Sequence, residues 1–187
     1  IPGHNNTSLT EDKKLNLSQK FLNNVNRLNF PTKGTKASDN ALAPVLKKMF
    51  ETENIELSFE ESENIRKTIK SAENFMGEML ELYIDSVASQ YGWIRAAGSV
   101  VKSTDFIKKD ESSGEITWKL LQIKNRDNTE NSSSGAIRQG TQILKWSRLN
   151  SSNGDTYWDS IPIEECSEQF SENDYLNFVK NYVDSLD

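Results

Sequence analysis

One cysteine and one histidine in 187 residues leave little room for several large classes of chemistry. Cys166 cannot form a disulfide within the chain or build a multi-cysteine zinc site, which suits a reducing compartment, the cytoplasm. The lone His4 falls in what reads as a loose terminus. No Ser-His-Asp or Cys-His arrangement can be assembled, nor a histidine-ligated zinc or a histidine-based nuclease centre. Acids, bases and metal ligands must therefore come from carboxylates, amides and lysines. Long apolar runs are absent too: nothing approaches the roughly 18 residues of a membrane span, and no signal-peptide pattern opens the chain. The opening IPGHNN has no initiating Met, as expected at a truncation point or in an added segment.

What is present suffices for a sizeable core in one domain, or one domain with an appended subdomain. The net charge of −6, taken alone, disfavours a polyanionic partner. Its distribution weakens that argument. Residues 1–50 carry 8 Lys/Arg against 3 Asp/Glu and residues 101–150 carry 9 against 6, whereas 151–187 carry 1 against 9. Local basic surface can bind phosphates whatever the total, although a patchwork surface with no nucleic-acid role fits the charges equally well.

Periodicity predicts helices over Asp12 to Leu28 and, behind a Ser38-Asp39 cap with Pro44 in the first turns, over Asn40 to Glu53. A long apolar stripe from Ser58 to Gly92 predicts two helices with a break near Gly77 or earlier, the stripe around Met76, Met79 and Tyr83 being core. Alternation then takes over. WIRAAGSVVKSTDFIKK predicts strand, turn and strand, and EITWKLLQIK a third strand. Ala136 to Leu149 returns to helical spacing, TYWDSIPI is a candidate strand and ENDYLNFVKNYVDSL a closing helix. The expectation is an α/β fold with a mixed central sheet of four or five strands flanked by helices. A helical region over 1–60 precedes a core over 61–187, or the two form one continuous domain.

In EITWKLLQIK, residues Trp118, Leu120, Gln122 and Lys124 share one face and Leu121 and Ile123 the other. A polar Gln122 and a charged Lys124 inside an apolar run need a reason. A lysine that snorkels from a strand end is the plain one. The other is a site. Asp105 ends STD at the entrance of the preceding strand, so a hairpin would bring Asp105, Gln122 and Lys124 to one end of the sheet. One carboxylate, one amide oxygen and the Ile123 carbonyl, with waters, form a workable site for a hard divalent cation. Glu81, in the helical GEMLE, is a candidate second carboxylate. The bare spacing is weak; the order helix Glu, strand Asp, strand Gln-x-Lys is more specific. The polar run NTENSSSG that follows reads by composition as a flexible linker, and Trp93, Trp118, Trp146 and Trp158 read as packing residues. EESEN and EECSEQFSEND read as solvated acidic stretches.

This arrangement resembles the PD-(D/E)XK nuclease superfamily, with Thr104-Asp105 at the Pro-Asp position and Gln122-Ile123-Lys124 at the (D/E)XK position. More closely, GEMLELYI, GWIRAAGSVVKSTDFI and LLQIKNRDNTENSSSGAIRQGTQILKWSR are similar to the SinI/AvaII-like type II restriction endonucleases, over about residues 70 to 165. No comparable likeness is visible in residues 1–60 or in the acidic tail, and Gln122 departs from the superfamily's acidic residue. The resemblance implies a restriction-endonuclease-like fold and Mg2+-dependent hydrolysis of double-stranded DNA, with Mn2+ able to substitute. It also implies a short GGWCC-like target, 5′-phosphate ends, a homodimer, and a DNA methyltransferase in the same bacterial, cytoplasmic system. Asp105, Gln122 and Ile123 would hold the metal, Lys124 would orient water or stabilise charge, and Glu81 would assist. The polar run then lies where DNA would lie. Asn125, Arg126, Asp127, Asn128, Asn131, Ser132, Ser133 and Ser134 become candidate contacts, with Arg138, Gln139, Lys145 and Arg148 on the following helix. Two alternatives stay open: a repair or structure-specific nuclease with the same core, and a catalytically silent DNA-binding module.

Overall fold

The change of period at Gly92 is where helix gives way to sheet. The computed structural model describes residues 10–25, 31, 40–96, 103–112, 114–127 and 142–186. Contacts divide the chain into two units, the described residues of 1–28 with those of 77–187, and the described residues of 29–76. Helix α1 spans Glu11–Val25 and α2 spans Leu42–Glu53, with Pro44 in the first turn. The expected Ser38-Asp39 cap lies outside the described residues. Helix α3 runs unbroken over Phe59–Ala88, which corrects the expected pair of helices. A single interior glycine weakens a helix by only about 1 kcal/mol, too little to break one that also carries a buried stripe. Its start is fixed by a reciprocal cap: Glu61 N–H donates to Ser58 Oγ at 3.2 Å and Ser58 N–H to Glu61 Oε2 at 2.8 Å. Behind α3 a 3-10 turn, Ser89–Tyr91, hands over to Gly92 at φ 84, a left-handed position that favours glycine. Among the described residues no helix is long and apolar enough to cross a membrane.

The sheet has the order β1 (Trp93–Arg95), β2 (Phe106–Asp110), β3 (Thr117–Arg126), β4 (Ile143–Leu149). The first three strands form an antiparallel meander, and β4 lies parallel to β3. One face buries Trp93, Phe106, Leu121, Ile123 and Trp146; from the second half of α3 come Met79, Leu80, Tyr83, Ile84 and Ala88, all buried. Tyr83 is the hub of an aromatic cluster, edge-on to Trp158 at 5.6 Å and Phe170 at 5.9 Å, and 5.6 Å from Tyr175. Each such side chain, fully buried, contributes about 1.5–3 kcal/mol. Helix α4, Glu172–Asp184, closes the described chain behind the N-cap Ser171, whose side chain accepts from Asp174 N–H.

Several expectations need correction. The predicted helix over 136–149 is strand β4 from Ile143 onward, with residues 136–141 outside the described set. Trp146 and Arg148 are the buried members of its alternation, and a charged residue on the inner side hides a period of two from an apolar count. TYWDSIPI forms one isolated bridge, Leu149 with Thr156, and a 3-10 turn at Trp158–Ser160 rather than a strand. Trp118 is half exposed (51%), not core. Within EESEN, Glu63 is buried and holds Arg66 by two hydrogen bonds of 2.8 and 2.9 Å. In the second acidic stretch Glu165 accepts from Lys108 Nζ at 2.6 Å.

Arg148 is the largest correction. Expected on a helix face towards phosphate, it is 5% exposed and points inward from β4. Its Nε donates to Asn125 Oδ1 at 2.9 Å, its Nη1 pairs with Glu172 at the start of α4, and its guanidinium lies 4.7 Å over the Tyr175 ring. Trp158 Nε1 donates to the other Glu172 oxygen at 2.9 Å. Asn125 is thereby committed to the fold as well. Arg148→Ala strands a largely buried carboxylate, and urea denaturation should show a loss of about 3 kcal/mol. A loss under about 1 kcal/mol would mean that solvent satisfies Glu172.

Candidate active site

The ladder between β2 and β3 is regular up to Phe106 opposite Leu121. One residue further it changes character. Asp105 N–H donates to Leu121 O at 2.8 Å, and Ile123 N–H donates to the Asp105 side chain, Oδ2, at 2.7 Å. The carboxylate thus takes the place of a main-chain acceptor at the mouth of the sheet. On the other side Ala96 N–H donates to Asp105 O at 2.8 Å, and Ser103 brings the chain in through the left-handed region at φ 57. Asp105 is therefore held from both neighbouring strands, with one oxygen committed. Among the described residues the other oxygen has no hydrogen-bond partner.

Gln122, beside it on β3, is 3% exposed and its Oε1 has no hydrogen-bond partner among the described residues. A buried amide oxygen left so is costly, about 1–3 kcal/mol, and invites a ligand. Thr104 Oγ1 is in the same condition one residue before Asp105. Lys124, two residues on along the same face, makes no hydrogen bond or ion pair among the described residues, yet its charge acts on both Asp105 and Glu81.

Glu81 comes from α3. Its carboxylate lies 3.8 Å from Arg95 Nη1, and Arg95 Nε lies 3.9 Å from Asp85. The Glu81 carboxyl is raised from an ordinary 4.5 to about 7, first by burial and then by the negative charges of Asp105 and Glu78, while Arg95 and Lys124 oppose the rise. Asp105 is also raised, by burial, against the opposing Ile123 N–H and Lys124. Glu78 and Asp85 are raised by burial and lowered by Arg95. These mutual influences put Glu81, Asp105, Lys124 and Arg95 in one electrostatic neighbourhood. Among the described residues no cluster of three or more Asp, Glu, His or Cys could hold a metal ion. A cation would rest on a mixed set, the uncommitted Asp105 oxygen and Gln122 Oε1 with Glu81 near, which suits a hard ion that keeps several waters.

The remaining candidates scatter. Arg126 and Asp127 are exposed at the end of β3, and Asp127 Oδ1 accepts from Ser151 N–H at 3.0 Å. Lys145 is paired in register with Gln122 on the neighbouring strand, so it borders the site rather than a helix face. Arg148 and Asn125 are taken up by the buried pair described above. Asn128, Asn131, Ser132, Ser133, Ser134, Arg138 and Gln139 lie outside the described residues. Sequence reasoning missed Arg95, read only as part of a strand. The signal available was the spacing of Glu78, Glu81 and Asp85, three acids on one helical face that require a nearby cation.

The Glu81 shift has a measurable sign. Without divalent cations the folded chain holds a proton on Glu81 between pH 4.5 and about 7 that the unfolded chain has lost. This group therefore makes stability fall as pH rises through that window and leaves it level on either side. Between pH 5 and 7.5 the melting temperature of Glu81→Gln should fall less than that of the unaltered chain, by several degrees. Parallel curves would place Glu81 outside the buried cluster.

Residues 2–185 match the family described as SinI restriction endonuclease. Among curated relatives, the chain is 43% identical over 155 residues to "Type II restriction enzyme Eco47I" of Escherichia coli, covering 82% of this chain and 65% of that protein. It is 39% identical over 153 residues to "Type II restriction enzyme SinI" of Salmonella infantis, with 82% and 65% covered. The chain thus spans about 65% of the length of these relatives. The family match extends into the first 60 residues and the acidic tail, where the sequence alone suggests no resemblance. With a mixed four-stranded sheet, flanking helices and a match of this extent, the chain belongs to the SinI restriction endonuclease family.

Proposed function

We propose that this chain acts as a type II restriction endonuclease that hydrolyses phosphodiester bonds in double-stranded DNA at a short, GGWCC-like site and leaves 5′-phosphate ends. The observation that carries the reading is the paired placement of Asp105 and Gln122-Ile123-Lys124 at one mouth of an antiparallel pair, within a chain of this family. A homodimer would match the two-fold symmetry of such a target, and a methyltransferase would protect the host's own sites.

Mg2+, or Mn2+ in its place, would supply Lewis-acid chemistry here, lowering the pKa of water and neutralising charge on the phosphate. The chain's own part is positional. Asp105, pinned through Oδ2 to Ile123 N–H, presents its other oxygen in a fixed direction, and Gln122 adds its buried Oε1. The Ile123 carbonyl is the third candidate oxygen. Lys124 keeps its ammonium near both carboxylates, where it can orient the attacking water and stabilise charge on the phosphorane. Glu81, with its raised affinity for a proton, is suited to receive one. The neutral Gln122 favours a second reading, a DNA-binding module without cleavage.

Plasmid digestion separates these readings. Discrete, Mg2+-dependent bands support a restriction enzyme, unspecific cutting of branched DNA a repair nuclease, and binding without cutting the silent module. Asp105→Asn keeps an acceptor for Ile123 N–H, so it should fold yet lose at least 100-fold in cleavage rate, as should Lys124→Ala. Near-normal turnover in either variant would remove that residue from the site. Gln122→Glu should shift the Mg2+ and Mn2+ concentrations needed for cutting; identical metal dependence would mean that Gln122 is not a ligand.

Recognition should part from chemistry in duplex binding measured in Ca2+. Arg126→Ala should weaken cognate binding by about 1–3 kcal/mol more than scrambled binding if the guanidinium meets a guanine edge. Lys145→Ala should weaken both alike and flatten the salt dependence by about one unit of slope. Equal losses on both duplexes for Arg126→Ala would exclude it from base readout.

A further inference from the structure

We propose that Arg95 is a built-in counterion of the candidate cation site, competing with a divalent cation for Glu81 rather than helping to bind it. The inference rests on reading that site as a divalent-metal site.

Glu78, Glu81 and Asp85 follow one another at i, i+3 and i+7 on α3, so they share a face. Arg95 stands opposite them at the end of β1, its side chain 12% exposed, next to the strand position that leads into Asp105. Its separations from Glu81 and Asp85, 3.8 and 3.9 Å, exceed hydrogen-bond length. Those attractions are coulombic and undirected, unlike the close, hydrogen-bonded pair of Arg148 with Glu172. A carboxylate held so loosely can turn to another cation without breaking a directed bond. The charges agree. With every group ionised, the four carboxylates Glu78, Glu81, Asp85 and Asp105 outnumber Arg95, Lys124 and the bordering Lys145, so the set is net negative and favours a cation. The cluster is thus short of positive charge. A guanidinium fixed nearby relieves that shortage in part and repels an arriving cation.

The two roles predict opposite signs. If Arg95 merely supports the fold, removing it leaves metal binding unchanged or weaker; if it is a competitor, removing it tightens binding. The test is Mn2+ titration of the full 187-residue chain without DNA, followed by the electron paramagnetic resonance signal of free Mn2+. Arg95→Gln should lower the Mn2+ dissociation constant about tenfold, Arg95→Lys should stay near the unaltered chain, and Asp105→Asn should raise it at least tenfold. Unchanged or weaker binding by Arg95→Gln, with Asp105→Asn still impaired, overturns the counterion role and leaves the metal site standing. If Asp105→Asn binds Mn2+ normally, the metal reading falls and the counterion role with it. Should Arg95→Gln lose its far-ultraviolet circular dichroism, the carboxyl 13C resonance of Glu81 in the unaltered chain decides instead. Saturating Mg2+ should move that resonance as Glu81 turns from Arg95 Nη1 to the cation, and an unmoved resonance overturns the proposal.

Discussion

The hydrogen bond from Ile123 N–H to Asp105 Oδ2 is the contact on which the candidate site depends. At 2.7 Å, and charge-assisted, it belongs to the stronger class of hydrogen bonds. It ends the β2–β3 ladder with a side chain instead of a carbonyl, so β2 can stop while β3 continues through Lys124 to Arg126. It also fixes the Asp105 rotamer. Gln122 and Lys124 are then placed by strand alternation alone, and no loop has to position them. A slip of one residue between β2 and β3 would turn Gln122 and Lys124 to the core face and bring Ile123 to the mouth of the sheet, which the buried Leu121 and Ile123 forbid.

A second constraint steadies the far end of β3. Arg148, Asn125 and Glu172 join β4, β3 and the first turn of α4, and Tyr175 and Trp158 close over them. Compared with apolar side chains of similar volume, a buried ion pair adds little net stability, but it tolerates few alternative packings because every donor needs its acceptor. Glu172 also stands where an acid is favoured, at a helix N-terminus. The exit of β3, where Lys124 ends one face and Arg126 begins the exposed tip, is thereby held by groups 23 to 47 residues further along the chain.

Legibility followed locality. The β2–β3 pairing could be read because the two strands lie next to each other in sequence across the DESSG turn, so the approach of Asp105 to Gln122 needed only a hairpin. Helices α1, α2 and α4 announced themselves by period. Strand β4 did not, because its inner face alternates Trp146 with Arg148, and a charge counts as solvent-facing until its partner is known. Glu172, Glu165 and Glu63 misled for the same reason: each reads as surface acid, and each has a cation or an indole N–H waiting in the fold. Arg95 stayed hidden inside a three-residue strand. Composition cannot say that a particular arginine faces three acids of a helix.

The antiparallel meander carries one further consequence. Glu81, Arg95, Asp105 and Lys124 fall within one stretch of 44 residues, counted inclusively, and every strand pairing among them is between sequence neighbours. Closing such short loops loses little chain entropy, since the loss grows only with the logarithm of loop length. The parallel strand β4 and helix α4 join from farther along the chain and form the slower, non-local part of the fold. The candidate chemistry is thus written into the segment that can order first, and the later elements hold in place what it has already shaped.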